Sequence, residues 1–163
     1  MQRIVGWRGP GGYEVSTDPE RLDLGFIHAY LKNAYWSPRI SRQVVERSIA
    51  NSLPFGLYGP SGEQAGFARA VTDYATYGYL GDVFVVDEHR GRGLGKFLVT
   101  CLLEHPELQG LRRWALTTRD AHGLYSRFGF GPPAQPANHL FIERSPEEPR
   151  SVEQAWDGTS STA

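Results

Sequence analysis

The stretch that most constrains this chain runs from residue 80 to residue 96. An apolar strand-like run from Leu80 to Val86 passes through Asp87-Glu88-His89 into Arg90-Gly91-Arg92-Gly93-Leu94-Gly95-Lys96, and an amphipathic helical pattern follows. Glycines let a backbone approach an anion closely, while the first turn of a helix offers N–H groups without intrahelical partners and the positive end of its dipole. The segment therefore predicts a site for a phosphate-rich ligand.

Spacing separates the phosphate loops that share this outline. A nucleoside-triphosphate loop needs Gly, then Gly-Lys after four intervening residues, then Ser or Thr. Here Gly95-Lys96 is followed by Phe97, and Arg90 stands where the first Gly belongs. The dinucleotide fingerprint needs Gly at the sixth position of G-x-G-x-x-G, but counted from Gly91 that position is Lys96, and no strand–helix–strand unit opens the chain. Neither pattern fits.

The segment resembles instead the GNAT superfamily of acyl-CoA-dependent N-acetyltransferases, whose signature is Arg or Gln, two residues, Gly, one residue, then Gly or Ala after an apolar strand. It reads here as Arg90-x-x-Gly93-x-Gly95, and further along Ala121-His122-Gly123-Leu124-Tyr125-Ser126-Arg127-Phe128-Gly129-Phe130 is similar to the family's A-x-x-L-Y-x-x-x-G-F. The resemblance covers roughly residues 13 to 144 and is more diagnostic in the cofactor half than in the substrate half. It implies an α/β (α+β) fold: a mixed, mostly antiparallel sheet of six to seven strands flanked by about four helices.

Composition bounds the same reading. With 163 residues, 40% of them hydrophobic, the chain can build one well-packed domain but not two ordinary ones. Lys and Arg number 17 against 18 Asp and Glu, so no global charge draws it to nucleic acid or an anionic membrane. The single Cys101 excludes an intramolecular disulfide framework, and no signal peptide or run long enough for a membrane span is apparent. A soluble protein of a reducing compartment, the cytoplasm, is expected.

Along the chain, the glycines and proline of Met1 to Gly12 predict a mobile lead-in. A short strand over Tyr13 to Ser16 precedes a helix reaching about Tyr35, capped by Thr17 or Asp18 and broken at Trp36-Ser37-Pro38; Ser41 opens a second helix. Phe55 to Tyr58 and Gln64 to Thr72 read as a hairpin around Gly59-Pro60-Ser61-Gly62, followed by the strand carrying Leu80 to Val86. Leu94, Phe97, Leu98, Cys101 and Leu102 make one helical stripe that stops at His105-Pro106. A strand over Arg112 to Thr118, a short helix capped by Asp120, and a final hairpin from Phe130 to Arg144 complete the domain. Residues 145–163 have the composition of a disordered tail.

The resemblance assigns chemistry to particular positions. Backbone groups of Phe84, Val85 and Val86 would bond the pantetheine arm of acetyl-CoA as they would an added strand, with the Val85 N–H facing the thioester oxygen. Arg90, Gly91, Arg92, Gly93, Leu94, Gly95 and Lys96 would wrap its diphosphate, against the plainer reading of an exposed basic turn. Asp87 stands where the family often has Pro, which leaves the start of the loop less rigid. Tyr125 would protonate the departing thiolate, or else simply pack on a half-buried helix. Thr118 replaces the Asn with which many relatives contact pantetheine, and a hydroxyl reproduces only part of an amide's bonding.

Two residues compete for the general base. Asp82 is a charge inside an apolar run, either catalytic or paired with an Arg to fix the sheet. His122 could relay a proton, or serve as a cap or surface histidine. Asp73, Tyr74, Tyr77 and Tyr79 line the acceptor site or are ordinary hairpin residues. The remaining histidines are too scattered to suggest a metal.

The function so implied is transfer of the acetyl group of acetyl-CoA to a primary amine of a small molecule or protein, by direct attack in a ternary complex. A non-catalytic acyl-CoA sensor or interaction module on the same fold is the alternative, and a longer acyl donor keeps the fold as well. Since relatives often dimerise, a homodimer is among the options.

Overall fold

Phe84 and Val85 are consecutive residues of one strand, so their side chains point to opposite faces, and each joins a different apolar core. The computed structural model describes residues 3–144. Its sheet runs in the order β1 (Gly6–Arg8), β2 (Glu14–Ser16), β3 (Leu53–Tyr58), β4 (Gln64–Thr72), β5 (Tyr77–Val85) and β6 (Arg113–Leu116). Neighbours are antiparallel except β5 and β6, which run parallel and therefore need the long crossover that a helix supplies.

Helices cover both faces. On one side α1 (Leu24–Leu31) and α2 (Arg42–Ala50) bury Ile27, Leu31, Val45 and Ile49 against Phe67 and Phe84. On the other, α3 (Leu94–Leu103) sets Leu94, Leu98, Cys101 and Leu102 on Val15, Leu53, Phe55 and Leu57. That is the stripe read from the sequence. Every residue of β3 is buried, as a strand covered on both faces requires. The short α4 (His122–Ser126) returns Tyr125 to the α3 side.

Caps fix these boundaries. Asp23 accepts the Phe26 N–H at 2.9 Å to begin α1, and Ser41 accepts the Val44 N–H at 3.3 Å to begin α2. The first helix is shorter than its apolar spacing suggests, ending at Leu31, because Ser37 Oγ donates to the Leu31 carbonyl at 2.7 Å and folds the chain back. Residues 32–41 thereby form a loop that carries Tyr35 and Trp36 over the sheet. Asp18 caps only the brief turn Pro19–Arg21.

Two expectations are corrected. The lead-in is not wholly mobile: Gly6–Arg8 pairs with β2, and Gly9 packs under the Phe97 ring. The final hairpin from Phe130 to Arg144 does not form among the described residues, where β6 is the last strand. Pro132, Pro133 and Pro136 cannot donate to a ladder, and the chain instead makes a short turn at Pro136–Asn138. The sheet accordingly has six strands, and the tail expected at 145–163 lies outside the described residues.

Candidate active site

The site begins where β5 and β6 part. Their pairing extends from Tyr77–Arg113 to Leu80–Leu116, while β5 continues to Val85. Asp82 sits at the divergence with φ 53°, a left-handed conformation rare for a side chain with a Cβ, beside a register shift between Phe67 and Arg69 in the β4 pairing. Such an irregularity bends a strand and re-aims its groups. A cleft of about 770 Å³ fills the gap.

Backbone alternation decides which groups face the cleft. The Val86 N–H bonds the Ala65 carbonyl at 3.0 Å, so Val86 and, two residues back, Phe84 turn their main-chain groups toward β4. Val85, lying between them, turns its N–H and carbonyl into the cleft. Of the three residues expected to present backbone there, Val85 alone turns toward the cleft, and its carbonyl accepts from Arg90 Nε at 2.9 Å. Val83, which the sequence reading passed over, joins it in the lining.

The glycine loop supplies the opposite wall. Gly91 and Gly93 adopt φ 76° and 74°, with open space where a Cβ would stand, so conformation and not crowding demands glycine at both. Gly93 is the N-cap of α3 and no side chain caps that helix. Its first-turn N–H groups are available to an anion. Gly91, Gly93, Leu94, Gly95 and Lys96 all line the cleft, whereas Arg92 is exposed outside it.

Arg90 is not directed at this loop. Its Nε donates to the Val85 carbonyl at 2.9 Å, its Nη2 to Tyr30 Oη at 3.0 Å, and its Nη1 pairs with Asp87 at 2.7 Å. Tyr30 in turn lies flat on Phe84, with ring centroids 3.8 Å apart. One guanidinium thus ties α1 and the turn at Asp87 to the end of β5.

Tyr125 is buried at the cleft's inner end, and burial first, then the neighbouring Tyr35, Asp120 and Tyr79, push its phenol up to about 12. Asp120, expected as a helix cap, is not one. Thr118 Oγ accepts the Ala121 N–H at 3.0 Å, and the exposed Asp120 carboxylate lines the cleft, 3.9 Å from Arg119. Thr118 and the exposed His122 are absent from that lining.

Asp82 is engaged on both oxygens: Trp36 Nε1 donates to Oδ1 at 3.0 Å and Arg69 Nε to Oδ2 at 2.6 Å. The alternative reading of this residue, an Arg-paired carboxylate that fixes the sheet, matches this geometry. Asp73 lies away from the cleft, its carboxyl held well below the usual carboxylate range by hydrogen bonds from the Thr76 hydroxyl and then from the N–H groups of Thr76, Ala75 and Tyr77. It closes the β4–β5 turn. The cleft wall from the helical side comes instead from Asn33, Tyr35 and Trp36, and Arg127 adds a cation. Asn33, Tyr35 and Trp36 belong to the joint between α1 and α2, which the family resemblance sets beside the acceptor pocket, and Ser37 Oγ, bonded to the Leu31 carbonyl at 2.7 Å, folds the chain back there.

Cys101 is buried with its thiol pushed up to about 12, chiefly by that burial. Among the described residues no cluster could hold a metal ion, and no helix is long and apolar enough to cross a membrane.

A splayed parallel strand pair, a glycine-led helix N-terminus and a buried tyrosine together define a class, and comparison with known proteins agrees with it. Residues 21–130 match the acetyltransferase (GNAT) family, to which this chain belongs, and its relatives are named as acetyltransferases. A GNAT-family acetyltransferase from Xanthomonas campestris pv. campestris is 50% identical, with a TM-score of 0.78 over 82% of this chain and 94% of that one. A protein from Gibberella zeae described as an acetyltransferase is 34% identical over 72% of this chain and 77% of its own length. Arabidopsis thaliana glucosamine-6-phosphate N-acetyltransferase, at 17% identity and a TM-score of 0.54 over 82% of this chain and 96% of that one, shares the fold. The chain is an acyltransferase of this family.

Proposed function

We propose that this protein transfers the acetyl group of acetyl-CoA directly to a primary amine. The observation that carries the reading is the meeting of three features in one cleft: the Val85 main chain, the uncapped N-terminus of α3 and Tyr125. The residues present fit a CoA diphosphate, because glycines with open space above them and unpartnered first-turn amides form the cradle, with Lys96 beside it.

Acetyl-CoA supplies an activated thioester carbonyl. In our reading the Val85 N–H donates to its oxygen, where negative charge develops as the amine nitrogen bonds the carbonyl carbon and the C–S bond breaks. A phenol raised to about 12 by burial stays protonated at neutral pH and can donate a hydrogen bond to the departing sulfur. Tyr125 therefore acts as a hydrogen-bond donor that stabilises the departing sulfur. The proton shed by the amine finally neutralises it.

Direct transfer is favoured over an acyl-cysteine route because the single cysteine is buried and a poor nucleophile. We assign the protein to the cytoplasm, where such a free thiol persists. The test is release of free CoA thiol from acetyl-CoA with a panel of primary amines. Amine-dependent release supports the proposal, and binding of acetyl-CoA without release across the panel would leave a non-catalytic binder.

A further inference from the structure

The Val85 carbonyl is the β5 acceptor that the cleft offers to an incoming extended ligand, and in this structure Arg90 Nε holds it at 2.9 Å. The same guanidinium is anchored by Tyr30 Oη at 3.0 Å, in the cleft lining, and by Asp87 at 2.7 Å, outside it. Arg90 nevertheless remains half exposed, and it lines the cleft alongside Gly91, Gly93 and Lys96. Its contacts are those of a charged side chain that can leave: an exposed ion pair contributes little, and the phenol and the carbonyl are neutral acceptors. A diphosphate on the glycine loop offers it a stronger, charge-assisted partner.

We propose that Arg90 is a displaceable occupant of the pantetheine position, competing with the pantetheine amide for the Val85 carbonyl until the diphosphate draws the guanidinium away. The inference rests on the donor-site reading above and adds a coupling to it. The nucleotide end of the donor prepares the site for the thiol end, so the two halves bind cooperatively. Tyr30 extends the coupling to α1, since its hydroxyl loses the Arg90 contact in the same event.

Fragments of CoA test this without any acceptor. On the wild-type protein pantetheine should bind more tightly once 3′-phospho-ADP is saturating. On Arg90→Ala it should bind about fivefold more tightly from the outset, the scale of one net hydrogen bond, with no further gain from the nucleotide. Tyr30→Phe, which keeps the ring on Phe84, should move pantetheine affinity the same way by less. In the intact wild-type protein the Arg90 Nε–H should be protected from exchange and lose that protection on adding CoA, a readout that survives a poorly folding variant. Pantetheine affinity unchanged or weakened in Arg90→Ala, or Nε–H protection retained with CoA bound, would overturn the proposal alone. Failure of the wild-type protein to bind CoA would remove the donor-site reading as well.

Discussion

Trp36 donates its indole N–H to Asp82 Oδ1 at 3.0 Å, so the loop after α1 is fastened to the residue at which β5 bends away from β6. With Arg69 on its other oxygen and both side chains of that pair largely buried, Asp82 holds the cleft wall in place. Removing it strands a cation: Asp82→Ala should cost about 3 kcal/mol in urea unfolding. Asp82→Asn, which keeps an acceptor for Trp36, should cost less. Equal losses in the two variants would mean that the indole contact is incidental.

The loop glycines should respond in opposite directions to the same change. Gly93→Ala forces a side chain into a left-handed conformation at φ 74°, a penalty of roughly 1–2 kcal/mol, and should weaken CoA binding. Gly95→Ala lies inside α3, where the added methyl meets only Leu124 at 3.8 Å. Its better helix propensity should add up to about 1 kcal/mol. Thermal melts of the two variants check the contrast, which fails if both fall together.

His105 is fully buried beside Trp7 and Phe55, and that burial lowers its pKa below the ordinary 6.5. The folded chain resists a proton that the unfolded chain accepts, so stability is complete above the unfolded value and is lost as pH falls below it. Urea midpoints should drop between about pH 7 and pH 5.5 and drop less in a His105→Gln variant. A midpoint independent of pH across that window would contradict the burial argument.

Tyr125→Phe should reduce acetyl transfer at least about tenfold while sparing CoA affinity, because only the hydroxyl is lost and the ring still packs on Phe130. Unchanged turnover would reduce Tyr125 to a packing residue.

The glycine-loop wall of the cleft was legible in the sequence because it depends on local pattern. The order apolar strand, glycines, helix dictates an anion cradle, and Gly91, Gly93, Leu94, Gly95 and Lys96 do meet there. The direction in which side chains turn is set by tertiary contacts that no spacing encodes. Arg90 reads only as a basic residue of the loop, and nothing in its spacing foretells that the Val85 carbonyl and Tyr30 hold its guanidinium. Asp120 reads as a cap, but α4 starts one residue later, at an Ala121 N-cap with no side-chain cap, and Thr118 bonds the Ala121 N–H. Asp82 carried both of its readings openly, and no spacing foretells that Arg69 and Trp36 engage both of its oxygens. Likewise the fate of Phe130 to Arg144 turned on prolines whose missing N–H groups outweigh an apolar run ending in exposed Leu140, Phe141 and Ile142.

The claim on which all of this turns is that a CoA diphosphate rests on the N-terminus of α3 with its thiol arm along Val85. Backbone amide shifts recorded by NMR during titration with CoA address it directly. The account predicts that the largest changes fall on Gly91 to Lys96 and on Val85, with smaller ones near Tyr125. Changes gathered elsewhere on the surface, or none at those amides while CoA binds, would contradict it.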